Sequence, residues 1–436
     1  MSLSVPVERD FLGLSRRFLD LLGADGLGSE SDQRHFAVDG TEPSWVVLPG
    51  GASETAQALR VCAEHDLAVI PAGAGLRLGR GLPPERLDVV LSTSRMDRIV
   101  AHAAADLTLT VEAGATLAAV NEALRPSGQW LPFDPPLPAE TTIGGLIAAQ
   151  ASGPSRQAFG TVRDWLLGLA AVLADGTPVK SGGRVVKNVA GYDIHKLLVG
   201  SCGTLAVIVE ATFKLQPLPE AKRIVCFGSQ TLESLCQLAL ALADSVAAPQ
   251  LLEILAGSDR PPTLVAGFAG TREEVDDAAT RAASIGRERS VEESSGRIDE
   301  AALRASLDGV ERGGEPSVVL RVGVPRSALG RWLSSALREC DRVAGDVALH
   351  AHAGVGVARL RLEAAKRERV REVVGGLRND ACASGGYLVV DSAPSAWKSE
   401  VDVWGPPPAG FDLMKGVKAA FDPRRLLSPG RFVGGV

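Results

Sequence analysis

Three residues in the second half of the chain have side chains that could do acid–base or anion-binding chemistry. His352 stands in an apolar run that predicts a strand, and its imidazole could accept a proton near neutral pH. Arg321 and Arg359 lie on adjacent predicted strands, where they could clamp one carboxylate bidentately. The plainer interpretations stay open: a satisfied core histidine, and arginines that simply pair with Glu363.

A second set of candidates consists of glycines that recur between residues 132 and 203. Each glycine-bearing segment adjoins an apolar run, so the backbone passes close to something without intervening side chains. A large flat ligand is the natural candidate, whereas ordinary turns and a tight helix–strand contact are the alternative for any one segment. The segments span residues 141–145, 151–155, 189–193 and 200–204.

An earlier glycine-rich segment follows the strand predicted at 67–70, which Pro71 should end. It looks like a dinucleotide fingerprint, but Gly81, Pro83 and Pro84 forbid the helix that such a turn must open. We therefore predict a loop whose backbone N–H groups face a diphosphate, with a surface turn as the alternative. Its candidate contacts are Pro71, Ala72, Gly73, Ala74, Gly75, Leu76 and Arg77.

Thr142 begins a predicted helix of small residues, and the free N–H groups at its N-terminus could also face an anion or a polar ring edge. Such an end stabilises a negative group by about 1 kcal/mol before desolvation. The proline-rich segment 132–136 just before it is rigid and extended. It could wall a cofactor slot or simply join two elements.

Together these segments resemble the FAD-binding domain of the vanillyl-alcohol oxidase and p-cresol methylhydroxylase (PCMH-type) flavoproteins. The resemblance covers residues 40–220 strongly and 411–432 more weakly. Within the superfamily the chain is most similar to the FAD-binding E subunits of bacterial glycolate oxidases (glycolate dehydrogenases). That closer match is carried by Lys-Asn-Val-Ala-Gly-Tyr-Asp at 187–193 and Phe-Asp-Pro-Arg-Arg-Leu-Leu-Ser-Pro-Gly-Arg at 421–431.

The resemblance implies an α+β fold: a two-lobed PCMH-type FAD-binding domain, a ferredoxin-like cap, and a C-terminal tail that returns to the first domain. It places the FAD pyrophosphate at the 71–77 loop. Many relatives attach the flavin covalently to a histidine there, but none occurs between His65 and His102, so we predict non-covalent FAD. The other implied contacts are Pro132, Asp134, Pro135, Thr142, Ile143, Gly144, Gly145, Ala149, Ser152, Gly153, Ser155, Gly160, Gly191, Tyr192, Gly203, Thr204, Val207 and Ile208.

The reaction implied by the resemblance is oxidation of a 2-hydroxy acid, glycolate to glyoxylate, with the hydride passing to the flavin. Catalytic relatives carry His-x-Gly-Asp-Gly-Asn-x-His in the second domain, whereas this chain has valine at 355 and 357 and Arg359 in place of the second histidine. A divalent metal needs several N or O ligands, and a single His352 cannot supply them. No metal site is therefore predicted.

Three functions remain open. The first is the FAD-binding subunit of a glycolate oxidase complex, in which a paralogous flavoprotein subunit oxidises the substrate and an iron–sulfur subunit takes the electrons. The second is a self-sufficient dehydrogenase for D-lactate or another D-2-hydroxy acid, and the third is a non-catalytic scaffold with structural FAD. The altered motif and the lack of a Cys-x-x-Cys pair favour the first.

The composition is that of a globular protein with more than one domain: 436 residues, 45 % hydrophobic and 22 % charged. A net charge of -6 argues against a nucleic-acid or anionic-membrane binder. No apolar run reaches the roughly 18 residues of a membrane span, and Glu8 and Asp10 argue against a signal peptide. We expect a cytoplasmic protein, held at the inner membrane only through a partner, whose six cysteines are small buried hydrophobes.

The elements that must position these residues are predicted from apolar periodicity. We assign residues 1–220 to the FAD-binding domain, 221–405 to the cap and 406–436 to the tail. In the cap, seven strands and four helices would fit two ferredoxin-like halves that share one sheet, with a mobile loop at 287–300. The strands are expected at 224–227, 251–255, 264–268, 317–322, 347–352, 357–362 and 387–390, and the helices at 232–242, 272–283, 326–337 and 364–377.

Overall fold

The computed structural model describes residues 10–183, 192–258, 260–294, 298–312, 316–363 and 366–436. The first lobe has a three-stranded parallel sheet in the order β1-β3-β2, with a helix in the crossover from β1 to β2 and a loop from β2 to β3. This arrangement confirms the predicted parallel crossover. Its elements are α1 (Phe11–Leu22), α2 (Glu30–His35), β1 (Trp45–Val47), α3 (Ala52–Glu64), β2 (Val69–Ala72) and β3 (Val89–Ser92).

Helix α1 docks on the body of the lobe, as its apolar stripe predicts. Leu14, Phe18 and Leu22 are buried, and the exposed Phe11 stacks on Trp45 with ring centroids 4.7 Å apart. Strand β2 runs two residues further than expected, because Pro71 lies at a position where it still pairs with Leu91 of β3. The loop that was predicted after Pro71 therefore starts at Gly73.

The second lobe is a five-stranded antiparallel sheet in the order β4-β5-β9-β7-β8, with a separate β6–β10 pair. The β7–β8 hairpin turns at Asp175-Gly176, as predicted. The elements are β4 (Ile99–Ala103), β5 (Thr108–Glu112), α4 (Leu117–Leu124), β6 (Gln129–Trp130), α5 (Ile143–Ala149), α6 (Arg156–Phe159), α7 (Val162–Trp165), β7 (Leu166–Val172), β8 (Pro178–Gly182), α8 (His195–Leu198), β9 (Val207–Lys214) and β10 (Gln216–Pro217).

One expectation for this lobe is wrong, and another falls outside the described residues. The Asp193 side chain was expected to cap the following helix, but α8 begins after Ile194 without a side-chain cap, and Asp193 contributes only its carbonyl, 2.9 Å from the Lys196 N–H. Residues 187–191, which carry part of the closer family match and include the candidate contact Gly191, lie outside the described residues.

The third part is a seven-stranded antiparallel sheet in the order β11-β13-β12-β15-β16-β14-β17. All seven predicted cap strands and all four predicted helices are confirmed. The elements are β11 (Ala221–Gly228), α9 (Leu232–Ala243), β12 (Leu251–Gly257), β13 (Arg260–Gly270), α10 (Arg272–Glu288), α11 (Glu300–Glu311), β14 (Ser317–Gly323), α12 (Arg326–Asp341), β15 (Asp346–His352), β16 (Val357–Glu363), α13 (Arg367–Ala383) and β17 (Tyr387–Ser392).

Helix α11 was not predicted, although its sequence contains the signals. Asp299 caps it by accepting the Ala302 N–H at 2.8 Å, and Leu303, Leu307 and Val310 recur at helical spacing on its buried face. The polar residues before it obscured its start. It covers the face of the cap sheet opposite the large core that α9, α10, α12 and α13 enclose.

The C-terminal tail returns to the two N-terminal lobes, as expected. After α14 (Phe411–Phe421), Leu427 forms a parallel bridge with Val69, and the Ser428 N–H donates to the Val69 carbonyl at 2.8 Å. The ammonium of Lys418 is buried, where it donates to Asp422 and to the Thr204 carbonyl, both at 2.8 Å. Within the described residues, the helices are all too short or too polar to cross a membrane.

Candidate active site

A cavity of about 970 Å³, which includes its solvent-filled mouth, lies between the two N-terminal lobes. We call it the cofactor cavity. Most of the surface that lines this cavity is apolar, as is usual for the site of a large ligand. Many of the lining residues are glycine or alanine. The predicted cofactor residues that line it are Pro71, Ala72, Gly73, Ala74, Gly75, Leu76, Arg77, Thr142, Gly144, Gly145, Ala149, Gly203, Val207 and Ile208.

The other predicted contacts lie elsewhere. Ile143 and Thr204 are buried beneath the cavity wall, Ser152 lines a neighbouring cavity, and the Tyr192 side chain is 92 % exposed. The proline segment turns toward the cap instead, since Arg304 Nη1 donates to the Pro135 carbonyl at 2.8 Å. The remaining predicted residues that line neither cavity are Pro132, Asp134, Gly153, Ser155 and Gly160.

The loop after β2 has the geometry of an anion cradle. Among the described residues, the backbone N–H groups of residues 74–77 donate to no protein acceptor. Gly75 has φ +85°, a conformation that side-chain-bearing residues rarely adopt. A Cβ on residue 73 would lie 2.0 Å from Thr142 Oγ1, so only glycine allows this approach. Free donors without side chains suit a diphosphate, and the loop therefore fits the pyrophosphate of FAD.

Side chains from distant parts of the chain hold this loop in place. Ser92 Oγ donates to the Gly73 carbonyl at 2.9 Å, and the Arg431 guanidinium donates to the Arg80 carbonyl at 2.6 Å. Lys398, which is ion-paired with Asp39 at 2.5 Å, also donates to a loop carbonyl. Neither Lys398 nor Arg431 was predicted at this site, because the contacts join residues more than 300 positions apart.

A second cavity opens from the first and reaches the cap sheet. It encloses about 1340 Å³ with its open mouth and shares Leu76, Arg77, Arg80 and Trp404 with the cofactor cavity. We call it the arginine cavity. Its charged and phenolic lining residues are Arg77, Arg80, Arg156, Glu311, Arg312, Arg321, Arg359, Tyr387 and Asp391.

The two predicted arginines do lie together in this cavity. Arg321 and Arg359 are directly paired residues of β14 and β16, so their side chains share the sheet face that is turned toward the lobes. The suggested pairing with Glu363 is wrong, because both guanidiniums approach Asp391 instead: Arg321 Nε lies 2.8 Å and Arg359 Nε 3.8 Å from its Oδ2. Asp391 was missed because strand β17 pairs with β14 only in the folded sheet.

Asp391 is the electrostatic centre of the arginine cavity. Its Oδ1 lies 3.3 Å from Arg80 Nε, so a residue of the first lobe joins the two arginines of the cap. Burial alone raises the pKa of the Asp391 carboxyl, but the neighbouring guanidiniums outweigh burial and hold this pKa well below its usual range. The carboxylate is therefore ionised and keeps its arginines in fixed positions. Arg321 Nη1 also donates to the Tyr387 hydroxyl at 3.3 Å.

His352 lines neither cavity. It is 4 % exposed, and its Nδ1 lies 2.8 Å from Glu253 Oε2, which also lies 2.5 Å from His350 Nε2. Burial lowers the pKa of both imidazoles and raises the pKa of the Glu253 carboxyl. This placement favours a satisfied core histidine over a base that meets the substrate.

The premise behind the prediction of no metal site is wrong, because His352 is not alone. Glu253, directly opposite it on β12, and His350, two residues before it, bring three potential ligand atoms within 4.8 Å of one another. His350 could have been found from the sequence, because residues two apart on a strand point to the same face of the sheet. Glu253 could not, because its position opposite His352 depends on how β12 pairs with β15.

Comparisons with known proteins agree with this geometry. Residues 43–182 match the FAD binding domain family, and residues 397–432 match the C-terminal domain of FAD linked oxidases. The chain is 28 % identical over 423 residues to glycolate oxidase subunit GlcD of Bacillus subtilis (strain 168), covering 89 % of this chain and 88 % of that protein. It is 40 % identical over 146 residues to glycolate oxidase subunit GlcE of Escherichia coli (strain K12), covering 33 % and 40 %.

The fold is also shared with a solved structure. The structure of p-cresol methylhydroxylase with substrate bound superposes with a TM-score of 0.76 at 17 % identity, covering 98 % of this chain and 97 % of that one. The predicted two-lobed PCMH-type fold is therefore confirmed. The family matches confirm FAD as the cofactor.

Proposed function

We propose that this chain, an FAD-dependent oxidoreductase with the two matched domains of the FAD linked oxidases, is the FAD-binding subunit of a complex that oxidises a 2-hydroxy acid. The observation that carries the proposal is the arginine cavity, which is continuous with the cofactor cavity. A carboxylate bound there would lie beside the cofactor. Similarity to two glycolate oxidase subunits supports glycolate-type chemistry.

Different residues of the arginine cavity would bind the carboxylate and the hydroxyl of the substrate. Arg321 and Arg359, held by Asp391, would bind the carboxylate, because two oriented guanidiniums match its two oxygens. The Tyr387 hydroxyl on the same wall would hydrogen-bond the substrate hydroxyl. FAD, when bound, supplies the acceptor for the hydride. The low pKa of Asp391 makes it a weak base, so its role is to position the arginines.

A partner is proposed because reduced flavin must be reoxidised. The six cysteines are all free thiols at scattered positions, and within the described residues the one grouping of potential metal ligands is Glu253 with the two histidines. Four cysteines are buried and serve as apolar core residues, whereas Cys202 is half-buried and Cys382 is exposed, so the expectation that all six are buried is wrong. We propose that the electrons leave through an iron–sulfur subunit, with a paralogous flavoprotein subunit alongside, in a cytoplasmic complex that meets the inner membrane only through a partner.

One experiment tests substrate oxidation on this chain. The FAD-loaded protein is mixed anaerobically with glycolate or D-lactate, and bleaching of the visible flavin absorbance is followed. We expect bleaching that Arg321→Gln slows at least tenfold, whereas Arg163→Gln, an exposed arginine on α7, leaves the rate within twofold. Bleaching that is unaffected by Arg321→Gln would contradict this assignment of the carboxylate site.

The second candidate, a self-sufficient D-2-hydroxy-acid dehydrogenase, is favoured by one observation: the chain is 29 % identical over 413 residues to D-lactate dehydrogenase of Archaeoglobus fulgidus. Co-purification and electron transfer separate the two candidates. A self-sufficient enzyme purifies from its native source as a single polypeptide with full activity. A subunit purifies with an iron–sulfur protein, and the reduced flavin of this chain passes its electrons to that protein.

A further inference from the structure

The arginine cavity contains more positive charge than a simple 2-hydroxy acid would neutralise. Arg156, Arg321 and Arg359 line this cavity and do not line the cofactor cavity. Arg321 and Arg359 share the carboxylate of Asp391, which also approaches Arg80, whereas among the described residues Arg156 has no ion pair. Since arginine stays protonated in proteins, at least two positive charges remain unbalanced at this end.

The other charged groups at the cavity are accounted for as pairs. Arg77 Nε lies 3.3 Å from Glu311 Oε1, and Arg312 is paired with Glu140 at the rim. Arg80, which lines both cavities, donates to the Ala149 carbonyl at 2.9 Å and is within reach of the cofactor side. These contacts leave the excess positive charge on Arg156, Arg321 and Arg359.

Arg156 is the arginine with the weakest protein contacts. It projects from α6 of the second lobe, and among the described residues its hydrogen bond is a long one of 3.5 Å to Ser152 Oγ. Burial and the two cap arginines lower the pKa of Arg156. Tyr387 and, more weakly, the carboxylate of Asp164 raise this pKa, and Asp164 is engaged by the Thr161 N–H and hydroxyl.

Arg359, which influences Arg156 electrostatically, is also incompletely satisfied. Its Nε is buried and has no hydrogen-bond partner among the described residues. Like charges gathered away from water are costly unless an anion joins them. One carboxylate would suit Arg321 and Arg359, but it would leave Arg156 unmatched.

We propose that the ligand of the arginine cavity is a doubly anionic 2-hydroxy acid, whose first carboxylate binds Arg321 and Arg359 and whose second anionic group, a carboxylate or a phosphate, binds Arg156. That this ligand is the substrate rests on the proposed function. The binding site itself does not, because it follows from the charges and contacts of the cavity.

Binding of non-reducing product analogues tests the proposal without turnover. The FAD-loaded chain is titrated at constant ionic strength with pyruvate, 2-oxoglutarate or 2-oxo-4-phosphonobutanoate, and the perturbation of the flavin spectrum gives each dissociation constant. We expect at least one of the two multiply charged probes to bind tenfold or more tightly than pyruvate. Because these two probes differ only in the terminal group, the tighter one identifies the second group as carboxylate-like or phosphate-like.

Variants locate the second subsite. Arg156→Gln should abolish the tenfold preference, because it weakens binding of the favoured probe far more than binding of pyruvate. Arg163→Gln, which removes the same charge from an exposed site, should keep the preference. Equal binding of all probes, or a preference that survives Arg156→Gln, would overturn the proposal. If the preference holds but no 2-hydroxy acid bleaches the flavin, the proposed function fails and the dianion site stands.

Discussion

The backbone of Gly73 rests directly against the hydroxyl of Thr142, so a Cβ on residue 73 would lie 2.0 Å from Thr142 Oγ1. The same hydroxyl accepts the Gly145 N–H at 3.2 Å and caps α5. The contact brings the loop after β2 and the N-terminus of α5 to the same cavity, although they belong to different lobes. The free N–H groups of residues 74–77 can face a ligand in this cavity, but the expectation of free donors at the start of α5 is wrong. The Ile143, Gly144 and Gly145 N–H groups donate to the Ala115 carbonyl, the Ala113 carbonyl and Thr142 Oγ1.

Replacing Gly73 should therefore lower FAD content. Gly73→Ala forces Thr142 or the loop to move, because the clash involves the residue that caps α5. We expect the flavin-to-protein ratio of the purified variant to fall at least fivefold. Gly79→Ala is the matched control in the same loop, since its Cβ would meet nothing within 4 Å. An equal flavin content in both variants would contradict the role of this contact.

The FAD of this chain should be released by acid. His35 is the histidine that the fold brings to the loop, with Nε2 3.2 Å from the Ala74 carbonyl, but it does not line the cofactor cavity. We expect trichloroacetic acid to leave the yellow colour in the supernatant. Colour that stays with the precipitated protein would instead indicate a covalent bond, and His35→Gln would show whether His35 forms it.

Asp391 should contribute more to stability than an exposed aspartate. Asp391→Asn leaves the guanidiniums of Arg80, Arg321 and Arg359 without their shared anion, which costs about 3 to 5 kcal/mol for a buried partner. Asp412→Asn, at a side chain that is 96 % exposed, should cost less than about 1 kcal/mol. Urea unfolding followed by tryptophan fluorescence measures both changes.

The effect of Asp391 should depend on pH in a defined direction. Its folded pKa lies below the unfolded value of about 3.9, so its stabilisation is present above that pH and is lost as the pH falls through the folded pKa. The difference in unfolding free energy between the native chain and Asp391→Asn should be largest near neutrality and shrink below about pH 4. If the difference in unfolding free energy grows on acidification, the predicted pKa direction of Asp391 is wrong.

Lys418 should anchor the C-terminal tail. Lys418→Met removes the donor to Asp422, Thr204 and Leu427, and leaves a buried carboxylate without its cation, so we expect a loss of about 3 to 5 kcal/mol. Lys415→Met is the same change on the exposed side of α14 and should cost under about 1 kcal/mol. Thermal unfolding compares them, and similar costs would argue against an anchor.

The features that the sequence predicted are those with local causes. The glycines at 73 and 75 indicate a loop because backbone conformation and absent side chains are properties of single residues. The cap strands follow from apolar runs. Contacts between strands are different, since the register of β12 against β15 decides that Glu253 meets His352. The segment 132–136 is a second example. Its prolines predict an extended, rigid backbone, but they do not predict that the segment contacts the cap.

The last prediction separates a core role of His352 from a catalytic one. His352 is buried and bonded to Glu253, whereas Arg359 lines the arginine cavity. If His352 is structural, His352→Asn should lower the free energy of unfolding by about 1 to 3 kcal/mol, because a buried partner is left unsatisfied. Its rate of flavin bleaching at saturating substrate should stay within threefold of the native rate.

Arg359→Gln should behave in the opposite way, since it removes a group of the cavity wall. We expect the substrate concentration for half-maximal bleaching to rise at least tenfold. The pH profile of bleaching provides the discriminating measurement: a base that accepts the substrate proton gives a limb whose apparent pKa disappears in the variant. If His352→Asn removes such a limb and slows bleaching a hundredfold in a folded, FAD-loaded protein, His352 is the base and must reach the cavity in a rearranged state.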